Sequence, residues 1–81
     1  MVSNQEIEKC LRENAEVHFV EVLGDGYHYQ LTLVSDAFIG KSKVIRQQWV
    51  YAKLKDYITA GKLHALTMKT WTIAEWENNR G

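Results

Sequence analysis

Residues 17–34 read Val17-His18-Phe19-Val20-Glu21-Val22-Leu23-Gly24-Asp25-Gly26-Tyr27-His28-Tyr29-Gln30-Leu31-Thr32-Leu33-Val34. Residues 17–23 are rich in branched and aromatic side chains and read as a β-strand. Residues 27–34 alternate: Tyr27, Tyr29, Leu31 and Leu33 form one face, and His28, Gln30, Thr32 and Val34 form the other. Gly24-Asp25-Gly26 between them supplies the residues a tight turn needs, so the two strands form a hairpin.

Upstream, Ser3 and Glu6 have capping-box spacing, which predicts a helix beginning at Ser3 with Ile7, Cys10, Leu11 and Ala15 on its inner face. Downstream, Asp36 to Gly40 reads as a loop. A helix is expected from 41 or 42 to 60, with Val44, Gln48, Tyr51, Leu54 and Ile58 at three- and four-residue steps, widened by Val50 and Tyr57. Gly61 is placed to end it in the left-handed conformation. Residues 63–70 alternate as a third strand. Thr72 and Glu75 repeat the capping-box spacing at the start of a last helix, which Trp71 and Trp76 fasten to the sheet.

The order is α-β-β-α-β-α. A helix between the second and third strands permits a right-handed parallel crossover. The expected fold is therefore α+β: a single domain over residues 1–81 of K-homology-like, class II type, with a mixed three-stranded sheet and helices on one face.

The 81 residues include one cysteine, no proline and no apolar run near the ~20 residues of a membrane span. One cysteine forms no internal disulfide, and the polar N-terminus has no signal-peptide core, so the expected location is cytoplasmic with no membrane association. Cys10 lies on an apolar stripe and reads as core filler rather than a nucleophile. No nucleophile elbow surrounds Ser35 or Ser42, and Phe38-Ile39-Gly40-Lys41-Ser42-Lys43 lacks the full phosphate-loop pattern, so no enzyme activity is expected.

Net charge is zero, but residues 1–40 carry seven acidic and two basic groups, and residues 41–69 carry seven basic and one acidic. The basic segment reads either as a solvated helix surface or as a face for an acidic partner or nucleic acid. In the second case Lys41, Lys43, Arg46 and Lys53 are the phosphate contacts. A Gly-x-x-Gly clamp is missing, because Gly40 is followed by Lys41, Ser42 and Lys43.

Three histidines and Cys10 do not have the spacing of a complete metal site. His28 follows the hairpin turn and His64 opens the third strand, so both can point to one end of the sheet. The residues leave two readings open: hydrogen-bonded or surface histidines, or half of a ligand set completed by a second molecule. His18 has no supporting context and reads as surface.

Four pieces in order carry a family resemblance: Gly24-Asp25-Gly26-Tyr27-His28-Tyr29, Phe38-Ile39-Gly40-Lys41-Ser42, Arg46-Gln47-Gln48-Trp49-Val50-Tyr51, and Leu63-His64-Ala65-Leu66 through Trp71-Thr72-Ile73-Ala74-Glu75-Trp76. Together they resemble the BolA-like family, nearest its IbaG/YrbA-type branch. Two departures are Arg46-Gln47 where many members have Arg-His, and Ile73 where proline is frequent. The resemblance implies a non-enzymatic partner of monothiol glutaredoxins that shares a [2Fe-2S] cluster with glutaredoxin and glutathione, in iron–sulfur trafficking or iron and stress signalling. His64 maps onto the family's constant ligand and His28 onto its variable one. Alone, the chain is expected to hold no cofactor and to be a monomer or weak homodimer. The alternative the resemblance implies is a DNA-binding transcriptional regulator acting through segment 41–60.

Overall fold

The computed structural model describes residues 2–14 and 16–79. The first helix, α1 (Asn4–Arg12), starts where its capping box predicts: Ser3 Oγ accepts from Glu6 N at 3.1 Å, and Glu6 Oε1 accepts from Ser3 N. Ile7 and Leu11 are buried and Cys10 packs at the edge of the same core. Ala15, the last residue of the expected stripe, lies outside the described residues.

The hairpin forms as β1 (Val17–Gly24) and β2 (His28–Ser35), paired antiparallel with an irregularity between Val17 and Phe19. A 3-10 turn at Asp36–Phe38 follows, capped by Ser35, whose hydroxyl also donates to Glu16 O at 2.9 Å. Two helical pieces come next, α2 (Lys43–Lys53) and α3 (Lys55–Thr59). Then β3 (Ala65–Trp71) pairs parallel with β2, giving the order β1-β2-β3, and α4 (Ile73–Asn79) closes the chain. The mixed three-stranded α+β architecture is the expected one. Among the described residues no helix is long and apolar enough to cross a membrane.

The single helix expected over 41–60 is interrupted at Leu54. There the backbone leaves helical values (φ −102°, ψ 10°), and the Leu54 carbonyl accepts from both Tyr57 and Ile58. Leu54 itself is fully buried. At the far end Gly61 (φ +70°) donates to Ile58 O and Lys62 donates to Tyr57 O, the paired bonds of a Schellman stop.

The apolar face of this segment is the expected one only at Val50, Leu54 and Tyr57. Trp49, Val50, Leu54 and Tyr57 turn inward, whereas Val44, Gln48, Tyr51 and Ile58 are exposed. The segment has two apolar stripes at helical spacing. The inward one meets Tyr29, Leu31, Leu33 and Phe38 in the core, leaving the other in solvent.

One-face packing holds for α1 and α2, which cover the side of the sheet that carries Val20, Val22, Leu31 and Leu33. It does not hold for α4. Phe19 pairs with Val34 on the other side of the sheet, and Trp76 of α4 stacks on Phe19 with centroids 5.2 Å apart. This second contact explains why Val34, on the nominally outer face of β2, is fully buried. A helix that starts directly after an edge strand crosses easily to the open face, and there it shields Phe19, Val34 and Trp76 from water.

Both edge strands are protected. On β1, Val22 N donates to Glu8 Oε2 and Val20 O accepts from Arg12, so α1 side chains occupy ladder groups that would otherwise be open to another strand. On β3, Thr70 O accepts from Arg46 at 3.1 Å.

Candidate functional site

Three local devices shape the end of the sheet where the hairpin turns. Asp25 Oδ1 accepts from Tyr27 N and His28 N, each at 2.9 Å. These bonds, the one from His28 N foremost, hold the Asp25 carboxyl below its ordinary range. Gly26 takes φ +91°, and Gly24 has no room for a side chain, since a Cβ would lie 2.4 Å from the His28 carbonyl oxygen. The turn therefore delivers His28 as the first residue of β2.

The opposite bank is built by the Gly61 stop. Leu63 is buried, His64 is exposed, and β3 begins at the next residue. The parallel register places Ala65 beside His28, so His64 stands beside the turn. Val2 ties the two banks together: its N–H donates to Lys62 O, and its carbonyl accepts from the buried Tyr29 hydroxyl, which also reaches Gly26 O.

Tyr27 departs from its expected place in β2 on one face with Tyr29, Leu31 and Leu33. It sits in the turn, 64% exposed, where its ring stacks on His64 (centroids 5.9 Å apart) and meets His28 edge-on (4.9 Å). The structure thus brings His28 and His64 to one end of the sheet around one phenol ring. Both histidines are exposed. His18 lies apart, exposed at the irregularity of β1.

Beside His64 runs a groove of about 320 Å³ lined by Tyr51, Lys55, Ile58, Thr59, Leu63, His64 and Leu66. Sequence reasoning placed Tyr51 and Ile58 in the core and did not single out Lys55 or Leu66. The available signal was the surplus of apolar positions between 44 and 58, more than one helix face needs.

The four candidate phosphate contacts separate. Lys41, Lys43 and Lys53 are exposed. Lys41 Nζ donates to Ala37 O at 2.6 Å, and Lys53 lies over the Trp49 ring at 5.3 Å. Arg46 is buried and is not a surface contact. Its guanidinium donates to Lys41 O, Thr70 O and both oxygens of Glu75, at 2.7 and 3.2 Å. The same Glu75 carboxylate accepts from Thr72 N at 2.8 Å, completing the predicted capping box of α4. Arg46, and then Thr72, hold Glu75 at a pKa of about 2. Cys10 matches its reading as core filler: burial, and then Glu13, push its thiol up, and Sγ donates to Lys53 O.

Among the described residues no group of three or more His, Cys, Asp or Glu side chains is arranged to hold a metal ion. Two imidazoles with open nitrogens are half of a four-ligand set, chemically suited to iron when a second molecule brings the rest.

Comparison with known proteins agrees with this architecture. Residues 6–75 match the family model described as BolA-like protein. The acid stress protein IbaG of Escherichia coli K12 is 39% identical over 79 residues, covering 98% of this chain and 94% of that protein. The DNA-binding transcriptional regulator BolA of the same strain is 32% identical over 87 residues, covering 95% and 82%. A crystal structure of a Bol-like protein from Babesia bovis superposes with a TM-score of 0.85 at 30% identity, covering 100% and 96%. With its fold and nearly all of its length in common with these proteins, the chain belongs to the BolA-like family, on its IbaG-type branch.

Proposed function

We propose that this protein is a non-enzymatic partner of a monothiol glutaredoxin and co-ligates a [2Fe-2S] cluster through His64 and His28. The observation that carries the reading is the placement of both imidazoles around Tyr27 at one end of the β2–β3 pair. Turn, glycine stop and the Val2 tie all serve to hold those two residues there. Half a ligand set on an open surface has a use only in a complex, where glutaredoxin cysteine and glutathione supply the remaining ligands. When bound, such a cluster supplies one-electron redox chemistry, and imidazole in place of thiolate raises its potential. Tyr27 lies against both rings, an arrangement that would pre-order the pair before the partner arrives. The name of the IbaG relative is consistent with a setting in stress response.

The test is visible absorption and circular dichroism of the protein mixed with cluster-loaded monothiol glutaredoxin and glutathione. The wild type should change the cluster spectrum. His64→Ala should abolish the change and His28→Ala should alter it. An unchanged wild-type spectrum would overturn the proposal.

DNA binding is the second reading, favoured by the exposed Lys41, Lys43 and Lys53 and by the regulator among the relatives. It would act through charge on phosphates and have a marked salt slope. Arg46 would contribute to it only indirectly, by holding Lys41 in place.

A further inference from the structure

The groove beside His64 has a composition that the histidines alone do not explain. Tyr51 of α2 and Lys55 and Ile58 of α3 line the same groove. Tyr51 is 43% and Ile58 39% exposed, large values for apolar side chains that sit together. They wall a depression floored by Leu63, which is buried, and by Leu66, which packs on the core. His64 belongs to the same lining, and Lys55 puts a cation into it.

We infer that this groove is the docking socket for the protein that completes the histidine site, and that it takes an apolar side chain of that protein flanked by a carboxylate that pairs with Lys55. The inference rests on the function proposed above. Any protein group that reaches His64 must lie over the surface next to it, and the groove is that surface. An apolar anchor seated in a shaped pocket is the usual source of interface affinity. The charge indicates the sign of the partner: Lys55 lies in the lining and Lys62 is exposed next to Leu63, with Asp56 the one acidic residue between Lys41 and Lys69. Nucleic acid fits poorly, because the floor is leucine where a phosphate or base would need donors. A second copy of this chain fits poorly as well, because a twofold contact through the groove would bring Lys55 toward its own symmetry mate.

The experiment is calorimetric titration of the cluster-free protein with cluster-free monothiol glutaredoxin and glutathione at low and moderate salt. Wild type, Ile58→Asp, Lys55→Glu and His64→Ala are compared, and far-UV circular dichroism checks folding. Ile58 and Lys55 are exposed, so both variants should fold. Ile58→Asp should raise Kd by about tenfold or more, the effect of losing a buried anchor. Lys55→Glu should weaken binding and flatten its salt dependence. His64→Ala should give no shared-cluster spectrum.

Wild-type Kd values for both groove variants, together with an intact His64-dependent spectrum, would overturn the docking inference and leave the proposed function standing. Absence of both binding and spectral change in the wild type would overturn the two together. If Ile58→Asp leaves glutaredoxin binding intact and instead abolishes concentration-dependent self-association, the groove is a homodimer contact and the inference fails.

Discussion

Arg46 on α2 grips Glu75 on α4 through two hydrogen bonds, 2.7 and 3.2 Å long, between residues 29 positions apart. The guanidinium also carries the carbonyls of Lys41 and Thr70, so one side chain joins the loop before α2, the edge of β3 and the first turn of α4. Arg46→Ala would leave these acceptors unmet and remove the buried stem. The expected cost is about 2–3 kcal/mol, the scale for breaking a buried charged hydrogen-bond network. Thermal denaturation should show it as a fall in Tm of at least roughly 8 °C for a domain of this size. Arg46→Lys should recover only part, since an ammonium cannot reproduce the planar fork.

The same pair predicts a pH response. Glu75 has a folded-state pKa of about 2 against an ordinary 4.5. A depressed folded pKa means the stabilisation is fully present above about 4.5 and is lost as pH falls toward 2. Urea denaturation of the wild type and Glu75→Gln across pH 2 to 6 should therefore give curves that converge at the acid end. A constant gap would show that Glu75 acts through packing alone.

Gly24→Ala tests the turn. The added Cβ would meet the His28 carbonyl oxygen at 2.4 Å, so either β2 moves or the ladder breaks. A loss of about 1–3 kcal/mol is expected. Because the displaced residue is His28, the shared-cluster spectrum should change in the manner of His28→Ala rather than of His64→Ala. Hairpin geometry can be followed by the amide shifts of Tyr27 and His28, whose N–H groups both donate to Asp25.

Cys10 should be a spectator. Its thiol is held toward the protonated form by burial and by Glu13, and it donates to Lys53 O. Cys10→Ala should leave the cluster spectrum unchanged, and alkylation by iodoacetamide near neutral pH should be slower than that of a free cysteine. Rapid alkylation, or a lost cluster signal, would return this residue to the ligand set.

The lysines separate the two functional readings. Lys41, Lys43 and Lys53 changed together to Gln should leave the histidine-dependent spectrum as it is, because none of them lines the groove beside His64. The same variant should remove most of any DNA affinity measured at low salt and flatten its salt slope.

Local pattern was enough to place the three strands, the Gly24-Asp25-Gly26 turn, the caps at Ser3 and Thr72 and the stop at Gly61. Each of these depends on hydrogen bonds or backbone angles within about four residues, and short-range chemistry can be read from short-range pattern. It also put His28 and His64 at one end of the sheet, because a parallel crossover and a tight turn leave little choice of register. Long-range packing selected which apolar stripe of residues 43–58 faces inward, turned Arg46 to Glu75 instead of solvent, laid α4 on the opposite face from α1, and took Tyr27 out of the strand to join two imidazoles. In each case two arrangements satisfy the local pattern equally well. Burial selects between them by what the sheet and the distant helices present, a contest between surfaces that no window of neighbouring residues contains.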